Sequence, residues 1–227
     1  MWMPLVDRLL GLLFPERCCA CRRSGAALCM PCRGALEPYN DDIPAALVLQ
    51  HETRILYVYD QRLRAAIHQL KFRRQRRLAR PLGELMALAC DAWQPDVDAI
   101  IPIPLHAARQ AERGFNQAEV LAAEVARQHR VPLIGEKLQR VRATRQQARL
   151  NTAERADNVA EAFAWSVADP PPRRILLVDD VLTTGATMAA CTAVLLAAGA
   201  ERVSGLALAR SRLALRPANN PAIHTLR

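Results

Sequence analysis

Residues Ile175–Thr187 read Ile-Leu-Leu-Val-Asp-Asp-Val-Leu-Thr-Thr-Gly-Ala-Thr and run straight into the Ala/Leu-rich segment Met188–Ala198. Aliphatic residues, a carboxylate pair, a hydroxyl–glycine loop and a helical run follow the order of a buried strand, the loop at its carboxyl end and the first turn of a helix. The same alternation recurs along the chain. Strands are expected at Arg54–Tyr59, Asp98–Ile103, Ala162–Trp165, Arg174–Val178 and Arg202–Ala209, and helices at Arg62–Lys71, Leu78–Trp93, Phe115–His129 and Ala186–Ala198. Strands that alternate with helices predict an α/β fold with a mostly parallel sheet and right-handed crossovers. Ligands of open α/β sheets bind outside the carboxyl ends of the strands, so the loop after Asp180 is the expected site.

The chemistry of that loop suits a phosphate next to a sugar. Thr183, Thr184 and Thr187 offer hydroxyl donors, Gly185 permits a tight turn, and the helix start adds unpaired N–H groups. The loop has no lysine and the chain no G-x-x-x-x-G-K-S/T pattern, which excludes a P-loop. Asp179 and Asp180 would repel a phosphate at contact distance. Ionised carboxylates instead accept from the vicinal hydroxyls of a ribose, or attract a divalent cation. The plain alternative is an ordinary βα turn with a capping threonine and two solvated acids.

The 227 residues are 51% hydrophobic but only 4% aromatic, so aliphatic strands and Ala/Leu helices must do most of the packing. That length holds one α/β domain and a small extra module. Leu5–Phe14 is too short to span a bilayer, is broken by Asp7 and Arg8, and lacks the basic start and cleavage site of a signal peptide. A cytoplasmic protein with no membrane insertion is expected. The formal net charge is +9, much of it in Lys71-Phe-Arg-Arg-Gln-Arg-Arg77 with Arg80 beyond. Such a run suits nucleic acid or a polyphosphate, and equally a solvated helix end. Hydrolase readings find no G-x-S-x-G elbow and no H-E-x-x-H helix.

Cys18, Cys21, Cys29 and Cys32 form two C-x-x-C pairs in a short segment containing glycine and arginine. Such pairs can set four thiolates at the corners of a tetrahedron, the closed site that structural zinc prefers. A reducing compartment disfavours disulfides, which supports the metal over free or redox-active thiols. Cys19-Ala20-Cys21 is an alternative pair; Cys19 is assigned as a non-ligand on spacing. Cys90 and Cys191 fall in helical runs and read as small core residues.

Two further segments belong near the phosphate loop. Asp98–His106 reads as a buried strand ending in a proline-stiffened loop, and Ala107–Gln117 carries Arg109, Arg113 and Gly114, which could bind an anion. Arg140–Asn158 is polar and basic; it could close over an anionic ligand or be a plain exposed connection. His68, His106 and His129 read as solvent or packing residues, and Trp93 and Trp165 as core or half-buried anchors. Ala168–Pro172 reads as an extended lead-in to the site strand, and residues after Arg210 as a loose tail.

Ile175–Thr187 resembles, at every position, the phosphoribosyl-pyrophosphate (PRPP) motif of type I phosphoribosyltransferases. The resemblance implies that Asp179 and Asp180 hold the ribose hydroxyls and that Thr183–Thr187 wraps the 5′-phosphate, within a binding set of Val181, Leu182, Thr183, Thr184, Gly185, Ala186 and Thr187. The four-cysteine knuckle, Tyr59 before a helix ending at Lys71-Phe72, Ile101-Pro-Ile-Pro104 and Arg113-Gly-Phe-Asn-Gln117 narrow the match. With Arg140-x-Arg142-x-Thr144-x-x-Gln147, Arg155-x-x-Asn158 and Phe163, they resemble the ComF family from Pro15 to Arg210.

ComF proteins are phosphoribosyltransferase-like and linked to competence, the uptake and use of external DNA. The resemblance implies a type I phosphoribosyltransferase sheet over residues 51–210, a small N-terminal zinc-knuckle module over 1–50 and a C-terminal tail over 211–227. It implies a pyrophosphate loop at Leu105–Gly114 with Arg109 and Arg113, a flexible catalytic loop containing Arg142, Arg145, Gln147 and Arg149, and Lys71 reaching the pyrophosphate. Structural Zn²⁺ on the cysteines and Mg²⁺ with PRPP are the implied cofactors. The implied partners are PRPP or another ribose-phosphate, and single-stranded DNA or DNA-uptake proteins. Three roles fit: a phosphoribosyltransferase releasing pyrophosphate in competence or nucleotide salvage, a non-catalytic PRPP or nucleotide sensor, and a zinc-knuckle nucleic-acid-binding factor. No acceptor pocket is legible.

Overall fold

The computed structural model describes residues 16–43, 47, 52–72, 75–141, 162–166 and 168–211. Its elements are α1 (Met30–Gly34), β1 (Thr53–Val58), α2 (Gln61–Phe72), a 3₁₀ turn (Arg76–Leu78), α3 (Ala79–Trp93), β2 (Ala99–Pro102), α4 (Ala107–Arg113), α5 (Gln117–His129), β3 (Leu138–Arg140), β4 (Phe163–Trp165), β5 (Arg174–Leu182), α6 (Ala186–Ala197) and β6 (Arg202–Arg210). Four strands form a parallel sheet in the order β1-β6-β5-β2, and β3 pairs antiparallel with β4. Leu133 bridges Ile100 outside β2, and Pro38 bridges Tyr57 outside β1, so both sheet edges find backbone partners.

Alternate residues of β5 feed two cores. Leu176 and Val178 join Leu206 and Leu208 on the face that receives α2, α3 and α5. Ile175 and Leu177 join Val203 and Ala207 on the face that receives α6. Successive strand residues point to opposite faces, and both faces are covered, which is why Ile175–Val178 is apolar without interruption. On the first face, α3 and α5 approach closely at Gly83, where a Cβ would fall 2.4 Å from the Cβ of Glu124. The cysteine knuckle shares this core: Cys18, Leu28, Cys32 and Leu36 belong to one cluster with Leu63, Ile67 and Leu70 of α2. Gln69 donates to the Cys19 carbonyl at 3.3 Å, and Arg33 pairs with Glu84 at 3.1 Å, fastening the knuckle to α2 and α3.

The expected strands and helices are all present, with two informative departures. β5 does not stop at Val178 but runs through both acids to Leu182, because β6 is long enough to pair Val181 with Ala209 and Leu182 with Arg210. The segment expected as a loop between Leu105 and Gly114 contains α4. Its Ala-Ala-Arg-Gln-Ala-Glu-Arg sequence is built of strong helix formers; His106 caps it by accepting from the Ala108 amide at 3.2 Å, and Gly114 (φ 77°) ends it. Among the described residues, no helix is long and apolar enough to cross a membrane.

Candidate functional site

Neighbouring strands β5 and β2 send their following helices to opposite faces. α6 packs with Met188, Cys191 and Leu195 in one core, and α5 with Leu121, Ala122 and Val125 in the other. The crevice this leaves at the carboxyl ends is the usual ligand position of a doubly wound sheet.

Both acids of the motif stand there. Asp180 is only 3% exposed, and its two oxygens are separately engaged. Oδ2 forms an ion pair with the Lys71 ammonium from the last turn of α2, and Oδ1 accepts from Gln117 Nε2 at 3.4 Å. Asp179 is half-buried, with its Oδ1 accepting from the Asp180 amide at 2.8 Å. Burial, then the charge of Asp180, raises its carboxyl well above the usual range against the pull of that amide and of Lys71. Diol donors or a cation at this carboxyl would favour its ionised form. Behind it, burial and then the charge of Asp179 push the Cys191 thiol up, as befits an inert core cysteine.

The turn that follows is Thr183–Gly185. Thr183 and Thr184 are exposed, and Thr184 Oγ1 accepts from the Ala186 amide at 3.4 Å. Gly185 is required twice over. Its φ is 84°, and a Cβ would lie 2.7 Å from Cγ of Leu47, which packs directly on it. Ala186 and Thr187 open α6. Val181 and Leu182, grouped with the phosphate-binding residues on resemblance, pack against the first and second cores respectively.

Arg113-Gly-Phe-Asn-Gln117 becomes intelligible residue by residue. Gly114 takes the left-handed turn that ends α4, and its carbonyl accepts from Arg76 Nη2 at 3.0 Å while the Arg76 guanidinium lies over the Phe115 ring at 5.2 Å. Asn116 caps α5 by accepting from the Ala118 amide at 3.0 Å and donates to the Ile103 carbonyl at 2.9 Å, tying the helix start to the end of β2. Gln117 accepts from Arg113 Nη1 at 2.8 Å while reaching Asp180. Burial and the nearby Arg109 lower the Arg113 guanidinium from its usual range, against the charge of Asp180.

Sequence reasoning placed Arg109, Arg113, Lys71 and the acids in one neighbourhood and missed three partners: Gln117, Arg76 and Leu47. Arg76, one cation of the basic run, is held by Gly114 and Phe115. In that run Arg77 and Arg80 are exposed, Arg80 pairing with Glu84 at 3.0 Å, while Arg73 and Arg74 lie outside the described residues. So do Arg142, Arg145, Gln147 and Arg149. Arg140, just before them, sits 5.4 Å over the Phe163 ring, with its guanidinium lowered by burial and by Arg109. A cavity of about 400 Å³, lined by Leu105, Gln110, Asn116, Leu138 and Arg140 among others, separates α4 from β3.

The second cluster is the knuckle. One sulfur from each of Cys18, Cys21, Cys29 and Cys32 lies within 4.8 Å of all the others. Cys21 Sγ and Cys29 Sγ are 3.6 Å apart, close to the ~3.8 Å edge of a tetrahedron with ~2.3 Å metal–sulfur bonds. These four thiolates fit a closed zinc site and could hold such a metal. Arg22 (φ 65°) and Gly25 (φ 116°) turn the chain between the pairs. Burial opposes ionisation of Cys18, but hydrogen bonds from the Cys21, Cys29 and Ala20 amides outweigh it and bring the thiol down to about 6. Burial and then the charge of Cys18 push the Cys19 thiol up to about 12, and Cys19 faces the core outside the quartet.

Residues 112–223, which include β5 with its acid pair, the following turn, α6 and β6, match the model of the phosphoribosyl transferase domain, so the chain carries a domain of the phosphoribosyltransferase type. Similarity to individual proteins covers a larger share of the chain. Competence protein F of Haemophilus influenzae is 36% identical over 160 residues, covering 67% of this chain and 70% of that protein. The DNA utilization protein YhgH of Escherichia coli is 31% identical over 204 residues, covering 86% and 88%. Competence protein ComFC of Bacillus subtilis is 30% identical, covering 85% and 76%. The chain belongs to the ComF family of competence proteins.

Proposed function

We propose that the carboxyl-end crevice binds PRPP together with Mg²⁺ and that the chain serves DNA uptake or utilization. The observation that carries this reading is the pairing of Asp180 with Lys71 and Gln117–Arg113 immediately before the Thr183–Gly185 turn. Sugar hydroxyls need acceptors, a 5′-phosphate needs donors on a tight turn, and a pyrophosphate needs nearby cations; all three lie at one strand end. Asp179 and Asp180 are the hard oxygen donors that would hold the cation, whose contribution is to neutralise charge on the pyrophosphate. Transfer at the anomeric carbon builds positive charge on the ribose and negative charge on the leaving group. The acids orient the sugar, and Lys71, Arg109 and Arg113 face the departing charge. The link to DNA rests on the names of the relatives.

Calorimetry with PRPP and Mg²⁺ tests the reading directly. Binding that disappears in Asp180→Asn supports it, and binding unaffected by that change overturns it. A screen for pyrophosphate release over nucleobases then separates a transferase from a sensor. A second reading, contact with single-stranded DNA, is favoured by the exposed Arg17, Arg22 and Arg23 on the knuckle and by Arg77. Charge reversal at Arg22, Arg23 and Arg77 should remove salt-dependent oligonucleotide binding and spare PRPP binding. Arg76 is left intact in that test because it holds Gly114.

A further inference from the structure

Gln117 is 7% exposed, and its backbone is fixed by the Asn116 cap on one side and by α5 on the other. Its side-chain amide works in both directions. The carbonyl oxygen accepts from Arg113, and the amide nitrogen donates to Asp180. Neither direction can be reversed, since a guanidinium only donates and an ionised carboxylate only accepts. Glutamate would keep the contact to Arg113 but set a second negative charge against Asp180. Leucine would fill the space and make neither contact. Among side chains of this length, only glutamine can join a guanidinium to a carboxylate.

We propose that Gln117 is a positioning residue that couples Asp180 to Arg113, so that the acid at the ribose and the arginine of the anion-binding segment keep a set separation. This rests on the reading of the crevice as a PRPP site and adds a residue to it. A ligand with a ribose at one end and a pyrophosphate at the other is sensitive to that separation; a ligand with the ribose and 5′-phosphate alone is not. The chain Lys71–Asp180–Gln117–Arg113 crosses from α2 over β5 to the start of α5. Its two ends are the cations that flank the acid.

The test compares the unaltered protein with Gln117→Leu by calorimetry with PRPP and with ribose 5-phosphate, each with Mg²⁺. Loss of a hydrogen bond to a charged group predicts roughly tenfold weaker PRPP binding in Gln117→Leu. Ribose 5-phosphate binding should change by less than about threefold, because that ligand does not need Arg113 held. Equal losses for the two ligands mean general damage to the site and overturn the proposal. A double-mutant cycle of thermal unfolding in the unliganded protein gives a ligand-independent check. If Gln117→Leu and Asp180→Ala lower the melting temperature by amounts that simply add, the coupling does not exist. A wild-type protein that binds neither ligand would defeat the PRPP reading, and the unfolding cycle would still decide whether Gln117 is coupled to Asp180.

Discussion

The knuckle and the crevice both concentrate ionisable groups, but they are assembled over opposite ranges of the chain. All four knuckle thiols come from residues 18–32, and their approach needs only two tight turns. The crevice draws Lys71 from α2, Arg113 and Gln117 from the α4–α5 junction and Asp180 from β5. The knuckle therefore takes its stability from a short local frame plus any metal it holds. The crevice takes its geometry from the whole sheet. The two are nevertheless joined: α2 carries Lys71 at its end and packs under the knuckle along Leu63, Ile67 and Leu70.

The largest effect should come from breaking the local cluster. Cys29→Ser removes one of four thiolates, and since whole structural zinc sites are worth about 10 kcal/mol or more in peptides, a loss of several kcal/mol is expected. Metal analysis with urea unfolding measures it. PRPP binding that survives unchanged would show the regions to be independent, despite the shared core.

Next in size is the crevice glycine. Gly185→Ala meets both a left-handed backbone and the Leu47 side chain, together about 2–4 kcal/mol. Adding Leu47→Ala should return the overpacking share and leave the backbone share. Full recovery would mean that φ at this turn is unimportant.

Cys19→Ser separates the packing of the knuckle from its coordination. Burying a hydroxyl in place of a thiol should cost roughly 1–2 kcal/mol, with metal content unchanged. Loss of metal would make Cys19 a ligand.

The smallest change runs the other way. Burial raises the Asp179 carboxyl above its ordinary value of 3.8, so ionisation destabilises the unliganded fold progressively as pH rises through the folded-state value. Asp179→Asn should have no advantage at strongly acid pH, where the aspartate is protonated in both folded and unfolded chains, and should melt higher near neutrality while losing PRPP binding. An advantage that shrinks with rising pH would contradict the assignment.

The features legible in the sequence are those whose cause is local. The cysteine spacing, the four-residue aliphatic run before two acids and the glycine in a hydroxyl-rich turn each carry their reason within a few residues. α4 was also within reach, since its helix formers and its His106 and Gly114 boundaries are local signals, but the arginines and prolines around it suggested a loop. The extension of β5 was not, because the length of β6 decides where that strand ends. Arg76 looked like one charge in a solvated run until the fold brought Gly114 and Phe115 to it.

By itself, the sequence determined the alternating α/β plan, the hydroxyl–glycine loop at a strand end behind two acids and the metal-type cysteine set, because chain-neighbour chemistry and period-two burial are written in order. Only the tertiary structure decided that Lys71 and Gln117 share the oxygens of one buried carboxylate and that Leu47 closes over Gly185. These contacts join residues far apart in the chain, and no spacing rule specifies a partner that only packing brings near.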